Sequence, residues 1–269
     1  MKKKVAVSAA EMMLLADLTV PADFDRALRR ADDFIKLAVV SAGRALNNAP
    51  PRLLAPSETG IFIGTAYGPL ETNFCSLGSL IDDGEGQISP TLFSHSVYNA
   101  AAGYVSRLLT IHGPALTLTT YAWPFVVALD QARLAILSAR IKRAVVIAVE
   151  TYSGLLEDAF KRWHGLAEVP WQPGAVAWIL EAADDISVCP LLAEIGITET
   201  ACEPGQLLAR AGEHWQGDSL VAGFGSHPMA YAFALTTAMD LLISSKTVKH
   251  PAEWLLDAPF GQARISLVF

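Results

Sequence analysis

The chain holds 269 residues, of which 52% are hydrophobic and 17% charged, with 20 Lys and Arg against 27 Asp and Glu for a net charge of −7. Globular domains usually carry about 25% charged residues, so disordered, collagen-like and coiled-coil classes are excluded and a large apolar interface is expected to cover part of the surface. A diffuse negative charge argues against nucleic acid or an anionic membrane as the main partner. Cys75, Cys189 and Cys202 show no CxxC or zinc spacing, which fits a reducing, cytoplasmic setting with no metal or other cofactor.

Residues 4–8 alternate in a β-prone pattern and predict a first strand. Glu11 and Asp17 interrupt the apolar region that follows the initial lysines, which argues against a signal peptide. Asp23 is a candidate cap for a helix over 24–46, with Phe24, Leu28, Phe34, Ile35 and Ala42 on its apolar stripe. Arg26, Arg29 and Arg30 lie off that stripe and read as a solvated face or a patch for an acidic protein. Thr59–Thr65 predicts a strand, 70–82 a helix with Cys75 as a small buried residue, and 92–110 another helix.

Farther on, Ala115–Tyr121 predicts a threonine-rich strand and 124–140 a helix. Arg143–Glu150, Gly174–Leu180 and Leu191–Ile197 predict strands, Pro228–Ser245 an apolar helix, and Ala263–Phe269 a closing strand. Stretches 86–106, 108–129 and 219–239 lack charge, but Gly, Pro, His and Asn within them argue for buried layers rather than membrane insertion. Alternating strands and helices predict a largely parallel sheet covered on both faces. Residues 152–173 read as the connection between a longer and a shorter half.

Segment 89–122 is the most informative. Ser89-Pro90-Thr91-Leu92-Phe93-Ser94-His95-Ser96-Val97-Tyr98-Asn99-Ala100-Ala101-Ala102-Gly103 is followed by Gly113-Pro114 and the strand that leads to Tyr121-Ala122. This resembles the β-ketoacyl synthases, condensing enzymes of fatty-acid and polyketide assembly. Gly174–Glu181, Gly225-Ser226-His227 and Phe260–Val268 resemble later family strands and motifs in the right order. The resemblance implies an α/β, thiolase-like layered αβαβα fold with an abbreviated second half. It implies one ketosynthase-like domain over 1–269, with an N-terminal half over 1–165 and a truncated C-terminal half over 166–269.

The departures from the family pattern matter equally. Ala122 stands where the family holds its nucleophilic cysteine, and Ala222 where it holds a lysine; of the catalytic set only His227 remains. A Claisen condensation needs a thiolate to carry the acyl group and donors for the enolate and oxyanion. The resemblance therefore implies a non-catalytic subunit, a chain-length factor as in aryl polyene or polyketide biosynthesis. Such a subunit pairs with an active β-ketoacyl synthase and meets acyl carrier protein transiently. Thr117, Leu118, Thr119 and Thr120 are the implied interface strand. Phe93, His95, Tyr98, Asn99 and Trp123 are the candidate tunnel lining, although single aromatics such as these also serve plain core packing. Two alternatives stay open: a cysteine-free malonyl-carrier-protein decarboxylase using His227, and a homodimeric acyl-binding protein.

Overall fold

The computed structural model describes residues 4–87, 89–120, 123–151, 153–164, 172–183, 189–198, 207–211, 229–244, 252–258 and 261–268. Its strands are β1 (Lys4–Leu14), β2 (Thr59–Thr65), β3 (Ala115–Thr119), β4 (Arg143–Glu150), β5 (Gly174–Ala183), β6 (Leu191–Thr198), β7 (Leu207–Ala211), β8 (Ala252–Ala258) and β9 (Gly261–Val268). Its α-helices are α1 (Ala22–Leu28), α2 (Asp33–Asn48), α3 (Leu70–Asp83), α4 (Pro90–His95), α5 (Ala100–Leu108), α6 (Pro124–Leu137), α7 (Gly154–His164) and α8 (Ala230–Ser244).

Every residue of β4 is buried, because both faces of this strand are covered. Val145, Ile147 and Val149 point into one core with α2 and α5, while Ala144, Val146 and Ala148 point into the other with α6 and α8. Double coverage explains why the strand reads as a continuous apolar run rather than an alternating one. In β5, Trp178 belongs to the α6/α8 core and Ala177 and Ile179 to the other.

The strands form one nine-stranded sheet in the order β3-β2-β4-β5-β1-β6-β9-β8-β7. Only β2, β3 and β4 are mutually parallel; β1, β5, β6, β8, β9 and β7 pair antiparallel with their neighbours. The sheet is therefore mixed rather than largely parallel. Parallel pairing needs a long crossover, and α3–α5 and α6 supply one on each side of β3. By contrast β8 returns almost directly into β9, with Ala258 opposite Gly261.

The sheet also curls over. Four strand steps separate β5 from β8, a distance of roughly 19 Å across a flat sheet. Yet the rings of Trp178 on β5 and Trp254 on β8 lie 6.4 Å apart, edge to face. The bend falls at β1–β6, whose only register pair is Ala6 with Leu191. It closes the two halves of the sheet around α6 and α8. The resulting layers are α2/α5, sheet, α6/α8, sheet. Arg264 and Glu253 pair at 3.3 Å across β9 and β8 with both side chains exposed, so the outer face of the second half is polar there.

Two expected helices are each split in two. The helix expected over 24–46 breaks at Arg29–Asp32, and Asp32, not Asp23, caps the second piece by accepting from the Ile35 N–H at 2.9 Å. The helix expected over 92–110 breaks between His95 and Ala100. Strands β7 and β8 and helix α7 lay in segments that the pattern left unassigned. Cys75 is exposed on α3, not buried; its thiol faces Glu71, and burial together with that carboxylate pushes its pKa up. No described helix is long and apolar enough to cross a membrane.

Candidate functional site

Parallel strands place ligand sites at their carboxyl ends, where the following loops converge. Here β2 ends at Thr65, β3 at Thr119 and β4 at Glu150. Glu150 is fully buried, and its Oε1 accepts from the Thr65 hydroxyl at 2.8 Å, from the Ala66 N–H, and from the Tyr67 N–H at 3.3 Å. Thr65 Oγ1 accepts in turn from the Gly68 N–H at 2.8 Å. One carboxyl group thereby organises the whole turn after β2. Burial pushes Glu150 up from 4.5 to about 8, against the opposing pull of those donors. Tyr231, half-buried on α8 with its hydroxyl against α6, is pushed well above its usual range by desolvation, and the Glu150 charge adds to the rise.

The junction after β3 sits against this turn. Helix α6 begins at Pro124, and its Phe125 N–H donates to the Tyr231 hydroxyl at 3.2 Å. The helix start presses directly on β2: a Cβ at Gly64 would lie 2.3 Å from the Pro124 carbonyl oxygen. Gly113-Pro114 has a similar backbone cause. A Cβ at Gly113 would lie 2.1 Å from the Thr59 carbonyl oxygen, and the Pro114 carbonyl accepts from the Ile61 N–H at 2.8 Å. The glycine lets β3 start tight against β2, and the proline leaves no N–H to satisfy.

Ala122 falls between the described ends of β3 and α6, and Ala122, Ala222 and His227 all lie outside the described residues. Trp123 is buried in the core shared by α6 and α8. Phe93 is 65% exposed and Asn99 is exposed. Tyr98 packs over Gly68, which adopts a φ of 61°. His95 is buried and pairs with the Tyr104 hydroxyl at 3.0 Å, the rings meeting edge to face. It lines a cavity with Thr91, Ser94 and Tyr104 that Phe93, Tyr98, Asn99 and Trp123 do not line. The five candidates therefore do not converge on one cavity.

Among the described residues strand β3 forms one end of the sheet and pairs only with β2. Ala115, Leu116 and Thr119 are exposed, and Thr120 follows with a single long contact from its N–H to the Thr65 carbonyl at 3.4 Å. The Thr117 hydroxyl oxygen is buried with no hydrogen-bond partner among the described residues. Phe93, Val97 and Tyr98, on α4 and in the turn that follows it, are further exposed apolar side chains.

The pattern had not assigned a role to Glu150. A charged residue closing an otherwise apolar strand was the available signal, but its three donors come from residues 84, 83 and 85 positions away in the chain.

A family model described as the N-terminal domain of β-ketoacyl synthases matches residues 6–168. No curated protein matches the chain. A solved structure described as a type II polyketide acyl carrier protein in complex with its ketosynthase (AntDE:AntF) is similar at 13% identity and a TM-score of 0.75, covering 100% of this chain and 99% of that one. The ishigamide ketosynthase/chain length factor is similar at 11% identity and a TM-score of 0.70, covering 98% of each chain. A ketosynthase in complex with its chain length factor from Xenorhabdus doucetiae gives 14% identity and a TM-score of 0.59, with 99% of each covered. These likenesses establish the thiolase-like ketosynthase fold, and, since the family model spans more than half of its residues, the chain belongs to the β-ketoacyl synthase family.

Proposed function

We propose that this chain is a non-catalytic ketosynthase-like subunit, a chain-length factor that pairs with an active β-ketoacyl synthase and helps shape its acyl tunnel. The observation that carries the reading is Ala122, a residue with no nucleophile, at the position that the resemblance gives to the family's cysteine, in the four-residue interval 120–123 between the end of β3 and the start of α6. Two of the similar structures are described as a ketosynthase with a chain length factor.

The edge strand supports the pairing. A β-edge that is free among the described residues invites another chain, and among those residues the buried Thr117 hydroxyl has no hydrogen-bond partner. Leu116, exposed on the strand itself, adds apolar area to this edge. An obligate interface of this kind buries more than about 2,000 Å². In this reading Phe93 and its neighbours face the partner's tunnel, and their bulk biases the length of a polyketide or aryl polyene chain. Acyl carrier protein delivers the extender units transiently.

Co-expression with an active ketosynthase from the same source tests the proposal. An equimolar complex is expected on gel filtration, and Leu116→Asp is expected to abolish it while leaving the circular dichroism unchanged. A stable monomer that ignores the ketosynthase, or a complex indifferent to Leu116→Asp, would refute pairing through this edge.

A further inference from the structure

The cavity that His95 lines is built almost entirely from cation and hydroxyl donors. Arg26, Arg29, Arg30 and Arg107 surround it, with Thr91, Ser94, Tyr104 and one acid, Asp23. Its volume is about 580 Å³, within the range of small-molecule pockets. The arrangement arises because α1 stops early. Arg29 and Arg30 sit in the break before α2, not on a continuous solvated helix face, and are turned toward α4 and α5.

No carboxylate pairs with any of the four arginines among the described residues. Arg107 rests over the Tyr104 ring, 5.0 Å from its centroid, and the Tyr104 hydroxyl is held by buried His95 at 3.0 Å. The chain carries a net charge of −7, so four unneutralised guanidinium groups around one hollow run against its overall balance. Like charges brought together gain nothing from each other, whereas a multivalent oxyanion between them would be bound by all. Guanidinium groups match phosphate in bidentate geometry, and the Thr91 hydroxyl can supply a further donor, whereas the Ser94 hydroxyl already donates to the Thr91 carbonyl at 2.9 Å.

We infer that the cavity between α1, α4 and α5 is a binding site for a phosphate group, supplied as a phosphate monoester of a small organic molecule or as the free anion. Four guanidinium groups that line one hollow, beside the His95–Tyr104 pair, favour a compact multivalent oxyanion over the spread carboxylates of an acidic protein surface. The site is separate from the β3 edge and does not depend on the pairing proposed above.

Calorimetric titration of the full-length chain with glycerol 3-phosphate, inorganic phosphate and glycerol tests it. Saturable one-site binding of the phosphate ligands but not of glycerol is expected. The double variant Arg30→Gln/Arg107→Gln should weaken it by about tenfold or more. Both side chains are exposed, so the fold should survive, and circular dichroism checks that it does. Arg44→Gln, an exposed arginine outside the cavity, should leave binding unchanged. Tighter binding of the ester assigns the site to an organic phosphate, and equal binding assigns it to the free anion; either supports the inference. No saturable binding, equal weakening by Arg44→Gln, or arginine-dependent capture of acyl carrier protein without phosphate binding overturns it.

Discussion

Glu150 shows how much one side chain can organise. Its carboxyl gathers a hydroxyl and two backbone N–H groups at the end of β2, and it is fully buried. Its pKa is raised from 4.5 to about 8, so between those values the folded chain holds a proton that the unfolded chain releases. The sign follows: stability falls as pH rises through this window and levels off above about 8. One proton of difference gives a slope of up to about 1.4 kcal/mol per pH unit. Glu150→Gln keeps an acceptor oxygen and cannot titrate. Urea midpoints measured from pH 5 to 8.5 should converge toward the variant's at low pH and fall below it as pH rises. Parallel curves for the two proteins would contradict the assignment.

Helix α6 illustrates the element scale, since both of its ends are set by backbone geometry. Its start is pressed onto Gly64, and its Phe125 N–H is taken up by Tyr231. At its other end the Ala139 N–H reaches the Ile136 carbonyl at 2.9 Å and the Arg140 N–H the Ala135 carbonyl at 3.0 Å. This is a Schellman-type stop, with Ala139 in the left-handed conformation at a φ of 61°. An alanine there costs about 1–2 kcal/mol, while glycine costs about 0.5–1 kcal/mol in unfolded-state entropy. Ala139→Gly is therefore expected to stabilise the protein by about 0.5–1 kcal/mol, raising Tm by roughly 1–4 °C in a thermal melt. Strand β3 is the contrasting element, short and paired on one side only among the described residues.

Over the whole molecule, the curl of the sheet decides how the two halves meet. Trp178 and Trp254 face each other across the core of α6 and α8, and the Trp178 indole N–H donates to Thr236 Oγ1 at 2.8 Å. Truncating Trp254 empties the contact between the halves. Trp254→Ala should cost about 3–5 kcal/mol in urea unfolding, and Trp254→Phe clearly less. Equal, small losses for both would mean that the second half contributes little to the common core.

Several features were readable in the chain itself. The positions of β2, β4 and β6 follow from runs of apolar, β-prone residues, a local property. The family also followed from local order: the Asn99–Gly103 helix, Gly113-Pro114, the strand and Ala122. What local pattern cannot hold is the direction and neighbour of each strand. Antiparallel β5 between β4 and β1 depends on register between residues far apart, such as Val146 with Trp178 and Ala10 with Trp178. The helix breaks at Arg29–Asp32 and after His95 were hidden because the apolar periodicity runs in register on either side of them, and only packing turned the freed arginines toward His95 and Tyr104. Sequence by itself determined most of the strands, the family and an alanine at the position that the resemblance gives to a nucleophile, because these reside in side-chain chemistry and short-range periodicity. Tertiary structure alone decided which buried carboxyl holds the turn, which edge lies open and where the cations gather, because each arises from contacts between segments that the chain order keeps apart.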